Sequence, residues 1–305
     1  MMAAVRQVWA AFTAGTEYPA EPADLRTVVL VGLRLPVRAS VAVAVVTFAL
    51  LFDYSRTFIP GGLGAGRGPE AMFVTSLERL ILFGLVPLAV VVLVFRDRPA
   101  RYGLTLGEWR WGAALVVLGC LVMTPIVLWF ATLPEVRAFY GPSTASAGRL
   151  VLTNGIDLTA SEFAFRGFLM LTLVRLIGPF GVLVATMPFV LAHLGKPELE
   201  LFSTLGGGLV YGWLAWRTRS IVWGSIGHTY ILTLLTLVRL IGPFGVLVAT
   251  MPFVFAHLGK PELELFSTLG GGLVYGWLAW RTRSIVWGSI GHTYILTLLT
   301  LAAAG

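Results

Sequence analysis

Four residues inside a very apolar chain have the types and spacing to do chemistry. They are Glu162 and Arg166 in SEFAFRGF, His193 in FVLAHLGKPELE and His228 in GSIGHTYILTL. Glu162 and Arg166 stand four apart, so a helix brings them onto one face with the acid on the N-terminal side, the favourable order for an ion pair. A charge at the centre of a bilayer costs about 2.5–3.5 kcal/mol even on lenient insertion scales. A structural ion pair that fixes helix packing is therefore the plain reading of these two alone, as a hydrogen-bonded core group is for either histidine. Taken together, a carboxylate, a guanidinium and two imidazoles on three segments favour one shared polar cavity, since each facing lipid separately would be penalised. Such a set activates water: the carboxylate takes a proton as general base, and the imidazoles position the water or stabilise an oxyanion. Two histidines and a carboxylate are also a zinc-binding combination, although the HExxH spacing is absent. Nucleophile routes are weaker. No GxSxG elbow occurs, and Cys120, the single cysteine, has no polar neighbours in sequence and is expected to be a small core residue.

The residues after His193 are harder to assign. In GKPELELFS, Pro197 is expected to break the helix, leaving Lys196, Glu198 and Glu200 as a solvated interfacial turn. Of these, Glu200 is the one expected to reach the cavity, because it begins the next segment. That segment reads STLGGGLVYG. Gly208 and Gly212 form a small-xxx-small face for close helix contact, and Gly206, Gly207 and Gly208 are read as packing residues.

The elements that must position this chemistry are membrane spans. The 305 residues are 57% hydrophobic and 12% charged, about half the charged share of a soluble domain. The expected class is all-α, a polytopic transmembrane helical bundle of about seven spans followed by a near-identical three-span segment. The spans are expected at 28–52, 72–95, 111–132 (with Pro125 as a tolerated kink), 150–175, 180–194, 200–216 and 221–237. Residues 1–22 read as a short amphipathic lead-in lying on the surface rather than a cleaved signal, since Arg6 interrupts a short apolar stretch. FIPGGLGAGRGPE at 58–70 reads as a flexible loop, and RYGLTLGEWRWG at 101–112 as a surface loop or short helix with tryptophan at the interface. The net charge of +7 is no nucleic-acid signal, because the arginines cluster beside apolar runs. Arg26, Arg34 and Arg38, then RDRPAR, Arg175 and the RTR of 217–219 all fall on one side, the cytoplasmic side if the N-terminus is inside. The expected location is the bacterial cytoplasmic membrane, with the lipid bilayer as surroundings and no nucleic-acid partner.

Residues 171–237 recur as 235–301, differing only where Leu191 is replaced by Phe255. Three crossings per copy is an odd number, so the second copy would insert inverted. Arg281 and Arg283 would then lie opposite Arg217 and Arg219, and identical segments cannot satisfy the positive-inside preference in both orientations. The second copy carries His257 and His292, but Ile226 and Tyr230 stand where Glu162 and Arg166 stand for the first. It brings histidines without a carboxylate–arginine pair and cannot rebuild the site alone.

The order SEFAFRGF, FVLAH and GWLAWRTRSIVWGSIGH resembles the CAAX-protease and bacteriocin-processing family of intramembrane proteases. That family's pattern is Glu-Glu-x-x-x-Arg, Phe-x-x-x-His and His-x-x-x-Asn/Asp, and RYGLTLGEWRWG is similar to its preceding segment. The resemblance covers about 101–237. It implies that Glu162 matches the second glutamate, Arg166 the arginine, Phe189 and His193 the second motif, and His228 the start of the third. It further implies water activation for peptide hydrolysis without an obligatory metal. Ser161 stands in place of the first glutamate and Leu232 in place of the Asn or Asp. Three readings follow: Glu162 takes over as base in a single-glutamate variant, Glu200 is recruited, or the fold is no longer proteolytic.

The expectation is an intramembrane endopeptidase acting on a membrane-embedded or membrane-proximal peptide, with Glu162, Arg166, His193 and His228 as its catalytic residues and no cofactor. The alternatives are a divalent metal such as zinc at the site, a catalytically inactive scaffold or bacteriocin-immunity-type protein on the same fold, and a small-solute transporter, which only the repeat and the glycines support. The expected organisation is an N-terminal region at 1–100 with two spans, a protease-like core at 101–237, and the repeated segment at 238–301.

Overall fold

The computed structural model describes residues 17–55, 66–241, 262–282 and 286–303. The surface-lying lead-in, most of the glycine-rich link and His257 fall wholly or largely outside the described residues. Helices occur at each of the seven expected positions. Three are long and apolar enough to cross a bilayer: Val37–Tyr54, Pro69–Val94 and Trp109–Phe130. The last runs unbroken through Pro125. The fourth position is a composite: α-helix Ala147–Glu162, a π-helical stretch Phe163–Met170 and α-helix Leu171–Ile177. Helices Phe180–Leu191, Glu198–Thr218 and Val222–Ile241 follow, then Glu262–Thr282 and Val286–Ala303. The chain is an all-α membrane protein in its architecture.

One boundary is corrected. Residues 28–36 do not belong to the first span. Thr27–Leu30 (β1) and Leu33–Pro36 (β2) pair antiparallel as a hairpin, and the helix starts only at Val37. The run TVVLVGLRLP is apolar enough to be read as membrane helix, but it is β-branched and turns at Gly32, whose φ of 79° a helix cannot contain.

The described chain divides into two compact units. One holds the residues up to Gly119 together with Gly148–Tyr230; the other holds Cys120–Ala147 and the residues from Ile231 on. In the first unit the core forms around the π-helical stretch, all eight residues of which are buried. Phe168 stacks on Phe95 at 5.9 Å, and Phe83 packs on Phe165 at 5.6 Å. Gly167 is needed there, because a Cβ would come within 2.4 Å of the Tyr102 carbonyl. In the second unit Val127, Ala131, Val136, Tyr140 and Leu235 form a smaller cluster. Cys120, expected in the core, is only half-buried on its long apolar helix.

Two devices hold the helices that carry the chemistry. The first is the segment 101–112, which is not a free surface loop. After a short 3-10 turn at Pro99–Tyr102 it clamps the start of helix Val222–Ile241. Ile221 N donates to Gly103 O at 3.0 Å, Glu108 N to Thr218 O at 2.8 Å, and Trp223 Nε1 to Leu106 O at 2.9 Å. The second is a polar cluster that joins several of the predicted arginine groups at one end of this unit. Arg38 pairs with Asp24 at 2.7 Å and Asp97 at 3.2 Å. Arg101 reaches both Asp24 and Asp97, and Arg175 donates to the Arg101 carbonyl. Burial works against the charged Asp24 carboxylate, but the Glu21 N–H and the Arg38 and Arg101 guanidiniums outweigh it and hold the pKa below the usual carboxylate range.

Candidate active site

Glu162 is the last residue of helix Ala147–Glu162 and has no solvent exposure. The next residue opens the π-helical stretch, so Arg166 lies on a wider turn than a regular helix would supply. Arg166 Nε lies 3.5 Å from Glu162 Oε2, which confirms the expected pairing. The carboxylate's other oxygen, Oε1, is 3.1 Å from Nδ1 of His228. An ionised carboxylate only accepts, so Nδ1 carries the hydrogen in this bond and the imidazole presents Nε2 on its far side. Glu162 Oε2 and both Arg166 Nη atoms are buried and have no hydrogen-bond partner among the described residues.

His193 follows the end of helix Phe180–Leu191 and is fixed in the same way. Its Nδ1 is 2.8 Å from the Phe189 carbonyl, an acceptor, so again Nδ1 donates and Nε2 points elsewhere. The Phe189 ring ties the pieces together. The Arg166 guanidinium carbon stands 3.5 Å from its centroid, the His193 ring 4.5 Å and the His228 ring 6.0 Å, the latter edge-on. A planar guanidinium over an aromatic face keeps its charge while burying its own flat surface. Three of the predicted residues, Glu162, Arg166 and His228, are thus in direct contact, and His193 joins them through Phe189.

Reading the sequence missed Tyr211. Its ring stacks on His228 at 4.9 Å with an interplanar angle of 17°. Gly224 and Gly227, three apart on the facing helix, lie beside it, and Gly224 lies closer to Glu162. A Cβ at Gly224 would lie 3.1 Å from Glu162 Oε2 and 3.7 Å from Tyr211, and one at Gly227 would lie 3.7 Å from the Tyr211 ring. The available signal was the Gly-x-x-Gly preceding His228, which marks a close approach without naming what approaches.

Several neighbours fall differently from expectation. Gly208 and Gly212 do pack, meeting Thr186, Val182 and Met170, but Gly206 and Gly207 have open space around them and are not packing residues. Pro197 does interrupt the helix. Glu200 accepts from Lys196 Nζ at 2.8 Å across Pro197, and its other oxygen, Oε2, is buried. Ser161 turns to Asp157, 3.4 Å away, and Asp157 pairs with Arg79, which also holds Asp53 in a two-point contact at 2.9 and 3.0 Å. The position where the resemblance expects a glutamate thus belongs to a separate buried ion cluster. Leu232 packs with the apolar cluster of Val127 and Leu235. Among the described residues no group of three His, Cys, Asp or Glu side chains is arranged to hold a metal, so the three-ligand zinc alternative is not assembled there.

The family model described as type II CAAX prenyl endopeptidase Rce1-like matches residues 143–234, which contain all four predicted residues, and again residues 229–297. No curated protein and no solved structure matches the chain. With a matched region running from 143 to 297 over helices that hold a buried Glu–Arg–His constellation, the chain belongs to the Rce1-like family of type II CAAX prenyl endopeptidases.

Proposed function

We propose that this protein is an intramembrane endopeptidase that hydrolyses a peptide bond with water activated by Glu162 and the two histidines, its core lying within 101–237. The observation that carries the reading is the double engagement of a fully enclosed carboxylate, by His228 at 3.1 Å and Arg166 at 3.5 Å. Buried charge is expensive in a membrane, and an enclosed carboxylate held by both an imidazole and a guanidinium is the pattern of a functional site. Glu162 Oε2, which no described side chain hydrogen-bonds, is the general base. Water attacks the carbonyl carbon and a C–O bond forms. The water's proton moves to Glu162, while the Nε2 lone pairs of His193 and His228 accept from that water and hold it in position. Collapse of the tetrahedral intermediate breaks the C–N bond, and the proton held on Glu162 passes to the departing amine. Arg166 stabilises the ionised form of Glu162 before attack and fixes its orientation from the face of Phe189.

The substrate is a peptide embedded in or lying at the membrane, as the family's name implies for its members. A prenylated C-terminus is one substrate of this class to be tried. The chain resides in the bacterial cytoplasmic membrane, with the end bearing Arg38, Arg101 and Arg175 facing the cytoplasm and the N-terminus inside. The single-glutamate site, with Ser161 in the first position, is a working variant in which Glu162 acts alone. Replacing Glu162 or His193 by alanine abolishes cleavage of a membrane-embedded reporter peptide by the purified, reconstituted protein. Full activity in either variant refutes the reading.

A further inference from the structure

The hairpin that replaces the start of the first span has no role in the site. Its register pairs Val28 with Leu35, Val29 with Arg34 and Leu30 with Leu33. Alternate residues face one side, so Val28, Leu30, Leu33 and Leu35 form one wholly apolar face, while Thr27, Val29, Arg34 and Pro36 form the other. Most of the apolar face is exposed: Val28, Leu30 and Leu33 are 49, 60 and 64% exposed, and only Leu35 at its base is half-buried. At the tip, Val31 and Gly32 both have positive φ, 50° and 79°, as a two-residue hairpin turn of this hand requires. Asn or Asp at the first turn position would suit that backbone and water together. A β-branched residue is strained there, and Val31 is also 94% exposed. Three strand residues and the tip would all gain from leaving water.

What covers them follows from where the hairpin is attached. Pro36 runs directly into the first membrane-crossing helix at Val37, so the base of the hairpin stands where that helix meets the bilayer boundary. The base is also fixed. Val37 N donates to Arg26 O at 2.9 Å, and Arg38, one residue on, is held by Asp24, Asp97 and the Phe95 carbonyl at the end of the second span. The hairpin cannot cross the membrane. Each strand is roughly 13 Å long by its rise per residue, and both edges of a two-stranded ribbon would leave backbone groups unpaired in hydrocarbon. Arg26 and Arg34 are exposed beside it, the positions at which cations meet anionic headgroups.

We propose that the Thr27–Pro36 hairpin is an interfacial anchor. Its apolar face and Val31 tip are buried at the headgroup–acyl boundary of the leaflet where the first span begins, and Arg26 and Arg34 lie among the headgroups. The partner is a lipid surface, and the proposal stands whether or not the protein is a protease.

The test uses the full chain reconstituted into phosphatidylcholine–phosphatidylglycerol vesicles, with Cys120→Ser and an environment-sensitive dye on Val31→Cys. A second protein carries the dye on Arg98→Cys, an exposed polar position past the end of the second span. The Val31 dye is expected to be quenched by lipids spin-labelled near the headgroup, and at least fivefold less by aqueous iodide than the Arg98 dye. Equal iodide quenching at the two sites overturns the proposal. So does shielding that disappears when the protein is diluted below one chain per vesicle, because the cover would then be a second copy. A Leu30→Lys/Leu33→Lys variant separates lipid contact from burial by the protein itself. The dye should become accessible to iodide while the melting temperature in detergent stays unchanged, and continued shielding in that variant also overturns the inference.

Discussion

Two helical pairs in this protein share one sequence and differ in what surrounds the histidine. In Glu198–Thr218 with Val222–Ile241, Tyr211 and His228 stack nearly parallel, 4.9 Å apart at 17°, and His228 is bound to Glu162. In Glu262–Thr282 with Val286–Ala303, the corresponding Tyr275 and His292 meet edge-on, 5.8 Å apart at 78°. The glycines tell the same story. A Cβ on Gly224 would meet the Glu162 carboxylate at 3.1 Å, whereas one on Gly288 would meet Tyr275 itself at 3.3 Å. The space that admits the carboxylate in one pair is filled by tyrosine in the other. A histidine and the residues flanking it do not make this site. The preceding helix does, by delivering a buried acid and its guanidinium.

If that is correct, Glu162 is the residue whose loss should erase the difference between the two pairs. Glu162→Gln, which keeps a hydrogen-bond acceptor for His228 but not the base, is expected to lower kcat/KM on a membrane-embedded reporter by about 10²–10⁴-fold, the usual size of a lost general base. Glu162→Ala should lose activity equally. It should also melt earlier, since removing one partner of a buried pair costs about 3–5 kcal/mol. Activity of the Gln variant within threefold of the parent would show that the carboxylate only packs.

The histidines allow the most direct contrast. His228→Ala should cost about 10²-fold in kcat, and His292→Ala, in the same local sequence, should leave kcat within twofold. Equal losses would mean that the second copy supplies an imidazole to the reaction. Arg166→Lys comes next, with an expected loss of about tenfold. The charge survives, but the flat contact with Phe189 at 3.5 Å does not. A steady-state comparison of kcat with KM should place that loss in kcat.

The helical positions were legible from their long apolar runs, and the Glu162–Arg166 pair because four-residue spacing survives the change of helix type. The hairpin was not, since TVVLVGLRLP satisfies hydropathy for a span as readily as pattern for two strands. The π-helical stretch was invisible as well: eight residues are too few to show a period other than the α-helical one. The Lys196–Glu200 pair was not legible either, because it lies across a proline and the chain resumes a helix quickly enough to bring the two within 2.8 Å. Tyr211 could not be assigned because stacking across helices leaves no spacing to read.

Acid separates the two regions by a different route. Asp24 ties Arg38 and Arg101 together at one end of the first unit, and its lowered pKa means that it favours the folded state while ionised. That contribution is complete above the usual carboxylate pKa of about 4 and is lost as pH falls below it through the folded-state value. Protection of the amides of residues 37–41, relative to the intrinsic exchange rate at each pH, should therefore fall on acidification below about pH 4, and Asp24→Asn should show the low protection at neutral pH. Amides in Glu262–Thr282 should change little between the same conditions. Parallel loss in both regions would mean that acid acts on the whole fold rather than through this carboxylate.

The smallest expected effect is the most specific to the comparison. Tyr211 is placed to hold the His228 ring flat against one neighbour while Glu162 holds Nδ1, so it acts on the reaction only through the imidazole. An aromatic pair of this kind is worth about 0.5–1.5 kcal/mol, which corresponds to roughly a two- to twelvefold fall in kcat for Tyr211→Leu. Tyr211→Phe should restore most of it, because the ring rather than the hydroxyl makes the contact. Tyr275→Leu should have no effect on kcat, since Ile226 and Tyr230 stand in that copy where Glu162 and Arg166 stand in the first. A purely structural Tyr211 would lower the melting temperature in the Leu variant and leave kcat unchanged. A positioning Tyr211 should lower kcat with KM unchanged, and the Phe variant should rescue it. If Tyr211→Leu and Tyr275→Leu prove indistinguishable in kcat, the stacked geometry of the first pair is packing and the two copies differ in the acid alone.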